Sequence, residues 1–290
     1  MKLFTRRALV ALLTCCIFSS TRAIQIQDDR GVNLQLTQAP QRIVSLLPSL
    51  TESVCALGQC QRLVGVDRYS NYPASVRALP QLGGGLDPHI EAIVALKPDL
   101  VLMATSARAA ERLRSLGIKV LSFEPKSLAD VQRVLGLLGQ VLQVNDAPRV
   151  WHELEVAVAA AAQSVPAGVR AARVYFEVGD GSYAASPDSF IGEILTRLGV
   201  QNITPKGLGP FPKLNPEFVV RADPDVIMMG ERSSTTLEQR PGWAGLRAVR
   251  AHHVCAFSHE QSDVLARAGP RMAQAAQIMA QCLRGVGKER

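Results

Sequence analysis

Asp87-Pro88-His89-Ile90-Glu91-Ala92-Ile93-Val94-Ala95-Leu96-Lys97-Pro98-Asp99-Leu100-Val101-Leu102-Met103 has a second copy further along the chain, Leu214-Asn215-Pro216-Glu217-Phe218-Val219-Val220-Arg221-Ala222-Asp223-Pro224-Asp225-Val226-Ile227-Met228-Met229. Placing Glu91 on Glu217 also places Pro98 on Pro224, Asp99 on Asp225 and Met103 on Met229. Each copy reads as a short helix opened by Pro, with Glu in its first turn. Pro-Asp stops the helix, and an all-apolar run follows that suits a strand buried on both faces. Two copies of one αβ unit predict two similar lobes, each presenting one Glu at an equivalent place.

Working outward, strand and helix patterns alternate on both sides of each copy, which predicts parallel α/β sheets. Arg42–Leu46, Leu63–Val66 and Lys119–Phe123 read as further strands of the first half, Ser49-Leu50-Thr51-Glu52 as a capped helix start, and Ala107–Leu116 and Ser127–Leu142 as helices. In the second half, Ala172–Val178 and His253–Phe257 read as strands, and Ser189–Leu198, Pro241–Val249 and Val264–Leu283 as helices. Between the halves, Asn145-Asp146 precede a run from Ala147 to Ser164 that holds no Gly and only a first-turn Pro148. With its flanks that is a helix of about 20 residues, roughly 30 Å long. The expected organisation is a lobe over residues 24–145, a linking helix over 146–166 and a second lobe over 167–290. A single stiff helix between lobes permits little hinge motion.

Residues 1–23 fall outside this plan. Lys2, Arg6 and Arg7 precede an apolar stretch from Ala8 to Phe18 that is too short to span a bilayer, and Thr21-Arg22-Ala23 offers small residues for cleavage. The expectation is an exported chain cut near Ala23. The formal charge of +7 includes +4 from residues 1–23, leaving +3 on the remainder, too little to argue for nucleic acid. The remainder keeps four cysteines, Cys55, Cys60, Cys255 and Cys282. An even number in an exported protein favours disulfides. Cys55 and Cys60 flank the helix stop Leu57-Gly58, so a local bridge fits there; Cys255 and Cys282 are free to pair but are not forced to.

Ligands of α/β sheets lie where strands end and loops begin. Loops of that kind carry Tyr69-Ser70-Asn71-Tyr72-Pro73 and Gly83-Gly84-Gly85 in the first half. The second half offers Gly181-Ser182-Tyr183, Gly209-Pro210-Phe211-Pro212 and the run from Ser262-Asp263 to Arg267. Aromatic rings with a few polar groups suit a large, flat, mostly apolar ligand, although any one Tyr or Phe alone reads as ordinary packing. Gly179 to Ala184 fits G-x-G-x-x-A, but Ser186-Pro187-Asp188 delays the helix that a dinucleotide would need. No phosphate loop, nucleophile elbow or His-Glu-x-x-His is present. His259 stands beside Asp263 within reach of a ligand-borne metal, against the simpler reading of a solvated loop histidine. No catalytic set, intrinsic cofactor or protein-bound metal is expected. Glu91 and Glu217 are favoured by the helix macrodipole, and Lys97 or Arg221 can pair with them locally. Their duplication is what argues for two anchor points on a partner.

The residues Arg42-Ile43-Val44-Ser45-Leu46, Tyr69-Ser70-Asn71-Tyr72-Pro73, the run from Ile90 to Val101, and Ser262-Asp263 through Arg267-Ala268-Gly269-Pro270-Arg271 occur in the order seen in a known family. The chain from residue 24 onward resembles the periplasmic binding proteins of ABC importers in which one helix joins two lobes. These carry cobalamin, haem or iron–siderophore complexes, and the cobalamin-binding branch is the nearest in pattern. The resemblance implies a monomeric, non-enzymatic receptor in the periplasm. Glu91 and Glu217 would pair with arginines of a permease dimer, and Tyr69, Tyr183, Phe211, Asp263 and Arg267 would line a corrinoid cleft. Gly85 stands where the cobalamin binder has a tryptophan, and Phe211 where another would be, which implies a roomier cleft. The relative's disulfide does not carry over, because Leu198 replaces one of its cysteines. A haem or ferric–siderophore receptor is the rival within the family; an exported enzyme or a ligand sensor is the rival outside it.

Overall fold

The computed structural model describes residues 24–179 and 181–288; the expected signal segment over residues 1–23 lies outside the described residues. An antiparallel hairpin of β1 (Ile24–Gln27) and β2 (Asn33–Leu36) opens the chain. The first lobe follows as β3 (Ile43–Ser45), α1 (Pro48–Ala56), β4 (Leu63–Val66), α2 (Ile90–Ala95), β5 (Leu100–Met103), α3 (Ala109–Ser115), β6 (Val120–Ser122) and α4 (Leu128–Leu142). Next comes α5 (Ala147–Gln163). The second lobe holds β7 (Arg173–Phe176), α6 (Phe190–Arg197), β8 (Gln201–Asn202), α7 (Pro216–Ala222), β9 (Val226–Gly230), α8 (Glu231–Ser234), α9 (Arg247–Arg250), β10 (Val254–Phe257), α10 (His259–Leu265) and α11 (Met272–Lys288).

Both four-stranded sheets are parallel, ordered β4-β3-β5-β6 and β8-β7-β9-β10. Counted within each lobe, both orders are 2-1-3-4, so the repeat seen in the sequence extends to the topology. The two copies also match at their key positions. Glu91 and Glu217 are each the second residue of their helix. Lys97 and Asp223, equivalent positions, both adopt the left-handed conformation that ends the helix, with φ of 46° and 40°. Asp99 Oδ2 then accepts the N–H of Arg42, and Asp225 Oδ2 that of Arg173, each at 2.9 Å. The Pro-Asp signal therefore both ends a helix and anchors the first strand of its lobe.

Strand alternation distributes the core. Leu100 and Leu102 of β5, and their counterparts Val226 and Met228 of β9, face one hydrophobic core shared by both lobes. Val101 and Met103, and Ile227 and Met229, face a separate core on the outer side of each sheet. With both faces covered, the strands are apolar throughout.

The linking helix is not a free-standing rod. At 17 residues it is about 25 Å long. Its buried residues Ala147, Val150, Leu154, Val158 and Ala161 fall at intervals of three and four, one stripe along the helix. That stripe belongs to the shared core with α4, α6 and α11. The lobes also cross-bond behind it: Glu193 of α6 accepts the N–H of Leu128 at 2.7 Å, and the Phe190 N–H donates to the Lys126 carbonyl at 2.8 Å.

Two sequence expectations need correction. The helix read over Pro241–Val249 is a single 3₁₀ turn at Trp243–Gly245 followed by the four-residue α9, because Gly242 takes φ +82° and interrupts it. The continuous helix read over Val264–Leu283 is two helices, α10 and α11, separated at Ala266–Arg271. A Cβ on Gly269 would meet both Cβ and the carbonyl oxygen of Ser49 at 3.3 Å, so this break is where the second lobe presses against α1 of the first.

Disulfides join Cys55 to Cys60 and Cys255 to Cys282. The first closes the end of α1; the second ties β10 to α11 across a sequence separation of 27. Replacing Cys255 and Cys282 by Ser is expected to cost about 3.5 kcal/mol, against about 2 kcal/mol for the Cys55 and Cys60 pair, since the larger loop restricts the unfolded chain more. Urea unfolding of the oxidised proteins measures both, and equal losses would contradict the loop-entropy account.

Candidate functional site: the cleft between the lobes

At the carboxyl ends of the strands of the second lobe lies a cavity of about 700 Å³. Phe176, Val178, Ile191, Phe257 and Leu265 supply its apolar wall. Its ionisable residues are Glu177, Glu231, Arg232, His259 and Asp263. The position follows from the sheet order: strands 1 and 3 of each lobe are neighbours whose connections leave in opposite directions, and the crevice opens there.

Two of the charges are already neutralised. Glu177, just past β7, has a fully buried side chain, and Arg240 grips both its oxygens at 2.6 and 2.8 Å. The Tyr175 hydroxyl donates to the same carboxylate at 3.1 Å. Burial, reinforced by the neighbouring Glu177 charge, pushes the Tyr175 phenol far above its ordinary value, so it stays a donor. Arg240 also lies over the Trp243 ring at 4.6 Å.

Asp263 belongs to a network that crosses between the lobes. Arg267 is 7% exposed. Its Nη1 donates to Glu52 Oε1 and Asn71 Oδ1, both at 2.8 Å, and its Nη2 to the Tyr69 carbonyl and Asp263 Oδ2, both at 2.9 Å. Asn71 Nδ2 donates to Asp263 Oδ2 at 2.8 Å. Arg271 Nη2 donates to the same Glu52 oxygen at 2.8 Å, and its guanidinium stacks on Tyr72 at 4.3 Å. Glu52 and the Tyr69–Tyr72 loop come from the first lobe, the two arginines from the second.

The Tyr69 loop is itself fixed from below. Asp67 accepts the Tyr69 N–H at 2.8 Å and the Ser70 hydroxyl at 2.6 Å, and Thr51 bridges Ser70 to Ser45. Burial holds the Asp67 carboxyl above its usual range, against the opposing pull of the Ser70 and Tyr69 hydrogen bonds and the Arg267 charge.

The sequence-predicted residues fall as follows. Tyr69 and Tyr183 are exposed at 60% and 44%, on loops that follow β4 and β7. With Tyr72, Leu86 and Leu208 they make five of the eight strongly exposed large apolar side chains among the described residues, all five on such loops. Phe211 is half-buried, edge-to-face with Phe190 at 6.0 Å. Gly85 lies over the end of β3, where a Cβ would sit 3.1 Å from the Leu46 carbonyl oxygen. Asp263 lines the cavity. Arg267 stands behind it, with its four terminal N–H groups engaged by protein. Glu91 and Glu217 are exposed, and no ion pair among the described residues engages either, so neither Lys97 nor Arg221 pairs with them.

Sequence reasoning missed Glu52, which it took for a residue of a helix-start signal, and it missed Arg232 and the Glu177–Arg240 pair. A charged residue inside the apolar face of α1 was the available signal for Glu52: its neighbours Leu50, Thr51, Ser53 and Val54 are all buried. Among the described residues no group of His, Cys, Asp or Glu could hold a metal ion, and no helix is long and apolar enough to cross a membrane.

The periplasmic binding protein family matches residues 43–259. The chain belongs to that family. Its members are substrate-binding proteins. The chain is 34% identical over 212 residues to a cobalamin-binding protein of Halobacterium salinarum, covering 70% of this chain and 57% of that one. It is 27% identical over 247 residues to the vitamin B12-binding protein of Pectobacterium atrosepticum, covering 82% of this chain and 86% of that one. Its fold is similar to that of the periplasmic haem-binding protein RhuT from Roseiflexus sp. RS-1, with a TM-score of 0.72, 26% identity, and coverage of 85% of this chain and 98% of that one.

Arg267→Ala would leave the buried Glu52 with Arg271 alone and would strip the half-buried Asp263 of its arginine. The expected loss of stability is about 3–5 kcal/mol, read as a shift of the urea midpoint with an unchanged slope. A loss under about 1 kcal/mol, the range of an exposed pair, would mean that the link between lobes does not depend on this residue.

Proposed function

We propose that the chain is the periplasmic receptor of an ABC importer and that its cargo is a corrinoid, cobalamin in the first place. The observation that carries this reading is the charge left over in the cleft. Glu177 and Asp263 are each matched by an arginine, so the cavity offers one further carboxylate, Glu231, one further guanidinium, Arg232, and the imidazole of His259 among apolar walls. That suits a bulky ligand with many amide donors and acceptors and little net charge, which describes cobalamin. Haem brings two carboxylates and no donors of that kind, and this wall offers them one unmatched guanidinium, Arg232, beside the repelling charge of Glu231. Similarity to the cobalamin-binding and vitamin B12-binding relatives supports the same choice.

In this reading Tyr69, Tyr183 and Phe211 pack on the macrocycle, and the absence of a side chain at Gly85 leaves room at its edge. Asp263 accepts from ligand amides, and Arg267 holds Asp263 in place. Glu91 and Glu217, at equivalent places on the two lobes, dock on basic residues of a permease dimer. The signal segment ends near Ala23, the lobes span 24–145 and 167–290 about the helix region 146–166, and the receptor is a monomer.

Absorbance titration is expected to show tight binding of cyanocobalamin at micromolar concentration or below, and weaker binding of haemin and of a ferric siderophore. Haemin binding without cobalamin binding would transfer the assignment to haem. Glu91→Ala together with Glu217→Ala is expected to weaken capture of the permease by roughly a hundredfold, the effect of removing two docked charge pairs, while leaving cobalamin affinity unchanged. Capture by the double variant at wild-type strength would remove the docking role.

A further inference from the structure

The arginines around the cleft divide into two kinds. Arg240 is spent on Glu177, Arg267 on Glu52 and Asp263, Arg271 on Glu52, and Arg68 on Asp87 at 2.5 Å. Arg232 is different. It lines the cavity at the end of β9, its side chain is exposed, and no ion pair among the described residues engages it. Its neighbour Glu231 does not neutralise it, because adjacent residues of a helical turn do not face each other. A guanidinium on a concave, largely apolar wall, with no acid of its own, is set to receive an anion. Its planar fork matches two oxygens of a phosphate better than any other side chain can.

Cobalamin carries one anionic group, the phosphodiester of the nucleotide loop below the ring. We propose that Arg232 holds that phosphodiester and is the residue by which the cleft tells a complete cobalamin from a corrinoid without its nucleotide loop. The assignment rests on the corrinoid reading above and deepens it. It also fixes the orientation of the ligand: the loop side faces β9 and α8 of the second lobe, and the opposite face of the ring meets the first-lobe loop of Tyr69 and Tyr72. The remaining charged groups on the wall are consistent with a single anion. Glu177 and Asp263 are held by arginines, and Glu231 offers an acceptor to the amide side groups of the ring.

Dicyanocobinamide, which has the corrin ring but neither phosphate nor nucleotide, provides the comparison with cyanocobalamin. Wild-type protein is expected to prefer cyanocobalamin by about tenfold or more, the scale of one charge-assisted bond. Arg232→Gln is expected to abolish most of that preference by weakening cyanocobalamin alone, and Arg232→Lys to keep part of it. The thermal midpoint of both variants is expected to match wild type, since the exposed Arg232 side chain forms no ion pair among the described residues and its backbone bond to Thr235 survives substitution. A preference undiminished in Arg232→Gln would overturn the proposal, as would equal weakening of both corrinoids or the lack of any preference in wild type. Wild-type protein that binds neither corrinoid would overturn the corrinoid reading itself, and this proposal with it.

Discussion

Glu52 is the point on which the two lobes meet. One of its oxygens receives Arg267 and Arg271 from the opposite lobe, in a place almost without solvent. A lone carboxylate there would cost several kcal/mol, and so would either arginine alone. The three groups persist only together, which fixes the angle between the lobes and the separation of the loops that line the cleft. The same Arg267 reaches through to Asp263 and to the Tyr69 carbonyl, so the network that joins the lobes also positions one residue of the cavity wall and the backbone of the Tyr69 loop.

This arrangement gives the cleft a rigid floor. The shared core runs from α4 through α5 to α11, and Glu193 bonds across the back of the molecule. Lobes coupled by continuous packing, a buried ion network and cross-lobe hydrogen bonds do not swing freely on one helix. A binding protein built this way admits its ligand mainly by adjusting loops, and its exposed Tyr69, Tyr72, Tyr183 and Leu208 are carried on such loops. The two glutamates sit on α2 and α7, whose positions are fixed by the sheets, so the spacing between them is set by the same packing.

Much of the architecture was legible in the chain because it depends on local signals. The Pro-Asp stops, the first-turn glutamates and the all-apolar runs at Leu100–Met103 and Val226–Met229 are short-range features, and each has a local physical cause in helix termination or in burial on both sheet faces. The reading failed where a stop signal was passed over or a partner lay far along the chain. The helix read across Ala268-Gly269-Pro270 breaks there because Pro270 has no N–H to donate and disfavours a helical Gly269, and α1 of the other lobe fills the space beside that glycine. Glu52 resembled part of a helix-start signal because the arginines that receive it are 215 and 219 residues away in sequence.

The sequence by itself therefore determined the duplicated α/β units, the helix between them, the family and the two exposed glutamates, since each is written within a stretch of some 20 residues. Only the tertiary structure decided which charges remain available to a ligand. Arg232, Arg240 and Arg267 are indistinguishable as letters. Folding assigns Arg240 and Arg267 to buried carboxylates from other elements and leaves Arg232 open to the cleft, because ion pairing is settled by distances of about 3 Å between segments that the chain order keeps far apart.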